Sequence, residues 1–231
     1  MSDQLTFDLP APPAQGAADF LITPSNQTAM AVIKTWADWP NQKLVLAGAE
    51  GTGKTHLAHV WAEASRAEMI RATALGTTVI EALAGGSVVV EDVDRIAGDR
   101  AAETALFHLH NLVLAEGGWL LITAKDAPSR WGVSLPDLRS RMEATTLARL
   151  APPDDMLLSA VLVKLFDDRQ ISVNANLIDY LLPRMERSLA EAARLVEELD
   201  RIALAERRPV TRALATRLFD LRQLDIPTNG A

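Results

Sequence analysis

The sequence predicts an α/β protein in which a domain with a parallel sheet is followed by a domain of four helices. The first observation is an alternation of apolar, strand-like runs with amphipathic helical patterns up to about residue 150, which is typical of a parallel sheet covered on both faces. The second is a change at Ala151-Pro152-Pro153, after which every periodic segment is helical. We therefore expect an α/β domain over 19–151 and a helical domain over 152–226.

Each predicted element has a simple signal in the sequence. Short apolar and β-branched runs predict strands over 44–47, 69–70, 87–91 and 119–123. Apolar residues at helical spacing predict helices over 26–36, 54–67, 78–83 and 101–115, and then over 154–168, 174–185, 188–205 and 211–222. Ser188 and Glu191 form a capping box for the third helix of the second domain.

Composition limits the classes to which the protein can belong. With 231 residues, of which 48% are hydrophobic, the chain can bury the core of one larger domain or two small ones. The lack of cysteine excludes disulfides and zinc–thiolate sites and fits a reducing compartment. There is no long apolar run and no signal-peptide pattern, so we expect a cytoplasmic protein without a membrane span. The net charge of −7 predicts little direct DNA binding but leaves a local basic patch open.

The segment after the first strand carries the most specific motif, Gly48-x4-Gly53-Lys54-Thr55. A glycine-rich turn between a strand and a helix brings several backbone N–H groups to one point, where the helix dipole adds positive potential. Lys54 supplies a cation for the β- and γ-phosphates, and the Thr55 hydroxyl suits Mg²⁺. The sequence therefore predicts binding of a nucleoside di- or triphosphate. The residues expected to bind it here are Gly48, Gly51, Thr52, Gly53, Lys54, Thr55 and His56.

A second nucleotide signature follows the strand at 87–91, where Glu91 and Asp92 are adjacent acids. Because ligands of parallel sheets bind at the carboxyl ends of the strands, these acids are expected beside the phosphate loop. We assign Glu91 to hold Mg²⁺ and Asp92 to orient or activate the attacking water. Thr123 ends another strand and is expected to contact the γ-phosphate or that water. The simpler interpretation of Thr123 is a strand-terminal threonine without a ligand.

Two arginines, Arg139 and Arg141, precede a short strand-like segment and the hinge prolines. One interpretation is a guanidinium that points away from its own nucleotide and into that of a neighbouring protein, where such a group accelerates hydrolysis roughly 10³–10⁵-fold. The other interpretation is a solvated basic turn. The four histidines have no metal-ligand spacing and are expected on helix surfaces or in loosely packed positions.

The N-terminal residues 1–18 are rich in proline and alanine and are expected to form a flexible tail. Gln4, Leu5, Phe7 and Leu9 form an island within it, with the apolar residues at alternate positions. Either this island pairs as a strand with the edge of the domain, or it is a linear motif that docks into apolar grooves of a partner. Residues 227–231 are expected to be frayed.

Together these motifs resemble the AAA+ class, and within it the DnaA-related branch, over residues 20 to about 222. Residues 20–29 are similar to the motif that lines the adenine pocket in bacterial replication initiators. Ser140-Arg141 and the junction at 151–154 are similar to the arginine-finger box and the lid junction. The resemblance implies that the helical domain is a lid and that Arg141 is the finger. It implies adenine contacts from Phe20, Leu21, Ile22 and Asn26.

Two features separate this chain from an initiator. We expect the protein to end after the lid, without the initiators' helix-turn-helix domain, and residues 4–9 are similar to the peptide that docks on the bacterial sliding clamp. This layout implies a regulator that binds ADP or ATP with Mg²⁺, docks on the DNA polymerase III sliding clamp and stimulates ATP hydrolysis by DnaA through Arg141. It also implies at most weak intrinsic ATPase activity. Whether the protein forms a homodimer or a larger oligomer stays open.

This chain differs from the initiators at the lid arginine called sensor 2. In initiators that arginine lies early in the third lid helix. By register that position falls near Ala190 or Glu191, with Arg187 and Arg194 one turn to either side. Both arginines are therefore candidates for contact with a phosphate. A self-contained AAA+ ATPase, acting as a loader or remodelling subunit, stays open as the alternative function.

Overall fold

A computed structural model describes residues 21–224, of which 223 and 224 are described by their backbone alone. Within that part of the chain, five parallel strands form a sheet in the order β2-β3-β4-β1-β5. Because all the pairs are parallel, every strand ends at the same edge, and the loops after β1, β3 and β4 meet there. The strands are β1 Lys43–Ala47, β2 Glu68–Arg71, β3 Val88–Glu91, β4 Leu120–Ala124 and β5 Thr146–Arg149.

The α-helices divide into two sets at the end of β5. The helices associated with the sheet are α1 Gln27–Lys34, α2 Lys54–Ser65, α3 Arg100–Ala115 and α4 Pro136–Glu143. The set after β5, called the helical group here, comprises α5 Asp155–Asp168, α6 Ala175–Leu181, α7 Leu189–Glu206 and α8 Arg212–Leu224. In residues 21–224, none of the helices combines the length and hydrophobicity that crossing a membrane requires.

The sheet lies between two apolar layers. Alternate residues of each strand point to opposite faces, so that Val45 and Val90 pack with α3 on one face, while Leu46 and Val89 pack with α1 and α2 on the other. Burial on both faces explains why the strands are continuous apolar runs rather than alternating ones.

The helical group has an apolar core of its own. Phe166 of α5, Leu181 of α6, Leu199 of α7 and Ala215 of α8 are all fully buried in one cluster. Ser188 caps α7 through its side-chain oxygen, as the sequence predicts, and Asp154 caps α5 in the same way. The side chain of Glu191, however, pairs with arginines instead of completing the capping box.

The parallel sheet and most of its flanking helices are confirmed, with most bounds within two residues of the prediction. The α-helix predicted over 78–83 is wrong, because this region consists of 3-10 turns at Ala72–Thr77 and Ile80–Leu83. Consecutive threonines and a valine beside Gly76 have low helix propensity, which outweighs the apolar spacing. The helix predicted over 174–185 ends at Leu181, two residues before Pro183.

Candidate nucleotide-binding site

The turn between β1 and α2 has the backbone of an anion cradle. Gly51 and Gly53 adopt left-handed conformations, with φ of 73° and 100°, which residues with a Cβ rarely adopt. Gly48 is closely packed, since a Cβ there would lie 2.9 Å from the carbonyl oxygen of Leu150. Because α2 begins at Lys54, its free N–H groups and the positive end of its dipole face the turn.

The side chain of Lys54 lies across this cradle. Its Nζ donates hydrogen bonds to the carbonyl oxygens of Gly48 at 2.7 Å and Ala49 at 3.0 Å. Phosphate oxygens would be stronger acceptors than these carbonyls, because they are charged. Burial lowers the pKa of Lys54, and this effect is opposed by the carboxylates of Asp92, Asp94, Glu50 and Glu91. The turn, the start of α2 and this cation therefore fit the phosphates of a nucleotide.

The ends of β3 and β4 bring Asp92 and Thr123 together beside the loop. Thr123 is buried, and its hydroxyl oxygen accepts a hydrogen bond from the backbone N–H of Asp92 at 3.1 Å. Asp92 has a left-handed backbone, with φ of 57°, and its carboxylate lies 3.4 Å from Nε of Arg95. The predicted juxtaposition of these two side chains at the carboxyl edge is thus present.

The helical group reaches the phosphate loop at the start of α7. The backbone N–H of Leu189 donates a hydrogen bond to the carbonyl oxygen of Gly51 at 2.8 Å. A Cβ on Gly51 would lie only 2.0 Å from Oγ of Ser188. This contact explains why glycine is required at Gly51 by packing as well as by conformation.

A cleft of about 520 Å³ opens between the loop and the helical group. This volume is within the usual range of small-molecule sites. The sheet side of its wall comprises Glu50, Gly51, Gly53, Lys54, Thr55, His56, Asp92 and Arg95. The helical side comprises Val161, Lys164, Leu165, Asp168, Leu189, Ala190 and Ala193.

Two loop residues named from the sequence support the cleft without lining it. Gly48 lies under the turn, and the hydroxyl of buried Thr52 donates to the carbonyl oxygen of Ala49 at 2.9 Å. Thr55 is exposed on the first turn of α2 and Glu91 is half-buried at the end of β3. In the described residues there is no cluster of three metal-ligating side chains. A Mg²⁺ ion there would need nucleotide phosphates and water as further ligands, which is its usual mode of binding.

The two arginines considered for the lid contact are held elsewhere. Nη1 of Arg187 lies 2.6 Å from a carboxylate oxygen of Asp155, and its Nη2 donates to the carbonyl oxygen of Pro153 at 2.9 Å. Arg194 pairs with Glu191 at 3.2 Å. Neither arginine contributes to the cleft wall. The position that corresponds by register to the sensor 2 arginine falls at Ala190, which has a small side chain, or at Glu191, which is an acid.

The segment expected to contact adenine begins the described chain. Leu21 and Ile22 are exposed, and neither lines the cleft. The buried Asn26 side chain accepts from the N–H of Thr23 at 2.9 Å and donates to the carbonyl oxygen of Leu21 at 2.8 Å, so it braces its own segment. Phe20, also predicted to contact adenine, and the tail residues predicted to dock on the clamp, Gln4, Leu5, Phe7 and Leu9, lie outside the described residues.

Arg141 lies at the opposite edge of the sheet from the phosphate loop. Its carbonyl oxygen accepts a hydrogen bond from Nζ of Lys43, the first residue of β1, at 3.2 Å. Five residues of strand, roughly 15 Å, separate Lys43 from the loop that follows β1. The exposed guanidinium lies over the ring of Phe107, 5.1 Å from its centroid. Arg141 is therefore a surface arginine that does not contribute to the wall of its own cleft.

A buried pair beneath Arg141 was not predicted from the sequence. Nζ of Lys43 lies 3.2 Å from Nε2 of His110, and both side chains are buried. The pKa of His110 is lowered to about 4, mainly by burial and also by the cations Lys43 and Arg141, against a hydrogen bond to Asn111 that raises it. The imidazole is therefore neutral at pH 7 and can accept from the ammonium group. Lys43 and His110 are 67 positions apart in the chain, so no local sequence pattern indicates that they are in contact.

Glu103 is a second polar group that sequence reasoning missed. Its fully buried carboxylate accepts hydrogen bonds from the N–H of Gly98 at 2.8 Å and of Leu135 at 2.8 Å. It also accepts from the N–H and hydroxyl of Ser134, at 2.9 and 2.7 Å. Burial raises the pKa of Glu103, but these hydrogen bonds outweigh it and leave that pKa below its usual value. Glu103 thus fastens α3 to the segment that begins α4, the helix of Arg141.

The fold and the cleft define an α/β domain with a glycine-rich, phosphate-type loop at the carboxyl edge of a parallel sheet. The chain is similar in sequence to the chromosomal replication initiator protein DnaA of Thermomicrobium roseum, with 27% identity over 225 residues, covering 85% of this chain and 47% of that protein. The chain thus spans about half the length of this relative. No protein-family model matches the chain.

Solved structures of DnaA have the same fold. Domain III of DnaA from Thermotoga maritima matches with a TM-score of 0.79 at 18% identity, covering 95% of this chain and all of that one. AMPPCP-bound DnaA from Aquifex aeolicus matches with a TM-score of 0.69 at 18% identity, covering 92% of this chain and 70% of that one. The Thermotoga maritima RuvB branch migration motor matches with a TM-score of 0.63 at 15% identity, covering 86% of this chain and 67% of that one. The chain is therefore related to DnaA and has the fold of its domain III.

Proposed function

We propose that this protein is an adenine-nucleotide-binding regulator of DNA replication initiation of the Hda type, which inactivates DnaA by stimulating hydrolysis of its ATP. The relationship to DnaA supports a role in replication. The cleft beside the phosphate loop supports nucleotide binding. Such a protein acts on a nucleotide that is bound to another protein. The side chain that acts on that nucleotide must therefore lie outside the protein's own cleft.

The observation that carries this proposal is the position of Arg141. Its guanidinium is exposed at the amino edge of the sheet, and its backbone is tied there by Lys43. An arginine in this position can approach the nucleotide of a docked neighbour without leaving its own fold. Once there, it would stabilise the charge that develops on the transferred phosphoryl group.

The protein's own nucleotide is ADP or ATP with Mg²⁺ in this proposal. Gly51, Gly53 and Lys54 hold the phosphates, while Thr55 and Glu91 hold the ion, which would neutralise phosphate charge. In this proposal the α/β domain spans 19–151, and the helical domain over 152–226 acts as a lid over this nucleotide. Arg187 and Arg194, which the register predicts as phosphate contacts, would have to leave their carboxylate partners to reach this nucleotide.

Residues 4–9 anchor the protein to the sliding clamp in this proposal, through Gln4, Leu5, Phe7 and Leu9. Tethering on a DNA-loaded clamp raises the effective concentration of the weak contact with DnaA. The protein then works in the cytoplasm, where the clamp and DnaA meet DNA.

The test is the conversion of DnaA-bound ATP to ADP in the presence of a DNA-loaded clamp. The intact protein should accelerate this conversion, and the double variant Leu5→Ala with Phe7→Ala should bind the clamp at background level and lose most of the acceleration. The matched control is Leu9→Met, which keeps an apolar side chain. Full acceleration by the double variant would refute clamp docking, and no acceleration by the intact protein would refute the proposed function.

A self-contained ATPase, acting as a loader or remodelling subunit, is favoured by a different observation. Asp92 and Thr123 are joined by a hydrogen bond, and Asp92 faces the same cleft as Lys54. These groups are the ones that orient water and stabilise charge during hydrolysis. Appreciable ATP turnover by the isolated protein, lost in Asp92→Asn, would support this second function. Turnover that needs DnaA would support the first.

A further inference from the structure

The ammonium group of Lys43 is buried without a counter-ion. Lys43 begins β1 at the amino edge of the sheet, and its side chain is buried there. Its Nζ contacts Nε2 of His110 and the carbonyl oxygen of Arg141, each at 3.2 Å. In the part of the chain that the structure describes, no carboxylate forms an ion pair with this group. Burial of an unpaired charge costs free energy, so packing alone does not account for a lysine at this position.

The carbonyl group that Lys43 contacts belongs to the last turn of α4. The last four carbonyl groups of a helix have no partner within it, and α4 ends at Glu143. The carbonyl oxygen of Arg141 instead accepts hydrogen bonds from Nζ of Lys43 and, at 2.8 Å, from the hydroxyl of Thr145. A cation is also favourable at this negative end of a helix. Lys43 therefore caps the turn of α4 from which the guanidinium of Arg141 extends.

One face of α3 holds α4 at three places. Glu103, Phe107 and His110 lie on this face, because they are four and three positions apart. Glu103 accepts a hydrogen bond from the N–H of Leu135, the residue before α4. The ring of Phe107 lies 5.1 Å from the guanidinium carbon of Arg141, and His110 contacts the ammonium group beneath the carbonyl of the same residue. Both the backbone and the side chain of Arg141 are thus restrained.

The charges of Lys43 and Arg141 have the same sign. Burial lowers the pKa of Lys43, and the nearby cation Arg141 lowers it further. Like charges repel, so an ammonium group fixed beneath α4 disfavours conformations in which the guanidinium folds inward against the sheet. The exposed position of Arg141 agrees with this effect.

We propose that Lys43 is a positioning residue for Arg141. Its hydrogen bond fixes the backbone of the arginine, and its charge keeps the guanidinium directed outward, towards the nucleotide of the docked partner. This inference rests on the proposed function, because it requires Arg141 to act on the ATP bound to DnaA. Lys43 itself touches neither nucleotide, so its effect on the reaction should disappear when the guanidinium is removed.

The test measures the single-turnover rate of ATP hydrolysis on DnaA over a range of concentrations of the clamp-bound protein. Lys43→Met removes the ammonium group at similar side-chain length. It should lower the maximal stimulated rate about tenfold, because a misplaced group loses much of its effect on a reaction. The concentration that gives half of the maximal rate should change less than about twofold. In the Arg141→Ala background, the same substitution should cause no further loss.

Two controls separate positioning from folding. Lys34→Met changes an exposed lysine at the end of α1 and should keep the full rate. Lys43→Met should melt close to the temperature of the unaltered protein, because no buried carboxylate loses its partner. If the single change lowers the melting temperature, the double variant Lys43→Met with His110→Leu takes its place, with the same expected rate. This double variant leaves neither polar group buried.

Two outcomes would overturn the inference. They are an unchanged maximal rate in the Lys43 variant that melts normally, and an equal loss from that change with and without Arg141. In both cases, a loss of rate in Arg141→Ala alone leaves the proposed function standing. An unchanged rate in Arg141→Ala overturns both.

Discussion

The two edges of the parallel sheet are built from different chemistry. At the carboxyl edge, flexible glycines, the start of α2 and the side chain of Lys54 form an open cradle among carboxylates. At the amino edge, buried Lys43 and His110 hold the backbone of Arg141, and the guanidinium itself stays on the surface. One edge can change its hydrogen bonds when a ligand arrives, whereas the other is fixed in advance.

This difference indicates how one fold can hold one nucleotide and act on another. A cradle needs groups that can exchange partners, because a phosphate must replace the carbonyl oxygens that Lys54 now contacts. A group that acts on a neighbour's nucleotide needs to be rigid before docking, because any ordering on binding would cost free energy. The following predictions test whether the two edges can be changed separately.

The largest expected effect concerns the support of α4 at the amino edge. Glu103→Ala removes the acceptor of buried N–H groups at Gly98, Ser134 and Leu135, and should lower the free energy of unfolding by about 4 kcal/mol. Chemical denaturation at pH 7 measures this. The matched control is Glu116→Ala, an exposed glutamate that ends α3, which should change stability by less than about 0.5 kcal/mol.

The same carboxylate has a defined pH dependence. Because the folded-state pKa of Glu103 lies below its model-peptide value of 4.5, its contribution to stability is present above pH 4.5 and is lost as the pH falls through the folded pKa. The stability of Glu103→Gln should therefore fall less than that of the unaltered protein on acidification. Parallel loss in both proteins would contradict the hydrogen-bonded carboxylate.

At the carboxyl edge, Lys54→Ala should weaken nucleotide binding by about 3 kcal/mol, or roughly 100-fold, because a charge-assisted contact to phosphate is lost. The variant should melt normally without nucleotide, since Lys54 contacts only backbone carbonyls of its own loop. Lys125→Ala provides a control for net charge. Unaltered nucleotide affinity in Lys54→Ala would show that the cradle is not the binding site.

A smaller effect is expected where the helical group meets the loop. Gly51→Ala forces a Cβ into a left-handed backbone and against Ser188, and should cost about 1–2 kcal/mol of stability. It should also weaken nucleotide binding, because the start of α7 must move. Gly76→Ala, whose Cβ would meet nothing within 4 Å, is the control. Equal melting temperatures for the two variants would be inconsistent with the packing described.

The smallest effect concerns the pH dependence of His110. Because its folded pKa of about 4 is below the ordinary histidine value of 6.5, the unfolded chain takes up the proton first as the pH falls between these values. The unaltered protein should therefore lose about 1 kcal/mol more stability than His110→Gln between pH 7 and pH 5.5. Denaturation curves at both pH values measure the difference. A proton bound to His110 at pH 6 in an NMR titration would rule out this explanation.

The sequence was informative where structure is local. Gly51, Gly53 and Lys54 could be assigned because a strand, a glycine turn and a helix follow one another directly, and Asp92 could be placed beside them because parallel strands end together. The pairing of Asp92 with Thr123 follows from the same geometry. These inferences need only the order of elements along the chain.

Other parts depend on contacts through space. Counting register along α7 selected Arg187 and Arg194, but the face of α7 that meets the cleft is set by packing against α5 and presents Ala190 and Ala193 instead. The contact of Lys43 with His110 joins residues far apart in the chain. The helix predicted at 78–83 failed because apolar spacing alone does not weigh helix propensity.

The central claim is that Arg141 serves a nucleotide bound to another protein. The most direct measurement is the single-turnover rate of ATP hydrolysis on DnaA in the presence of the clamp-bound protein, compared between Arg141→Ala and its exposed neighbour Arg139→Ala. The account predicts that Arg141→Ala lowers the stimulated rate about 10³-fold, with normal nucleotide and clamp binding, while Arg139→Ala keeps most of the rate. Undiminished stimulation by Arg141→Ala would contradict the account.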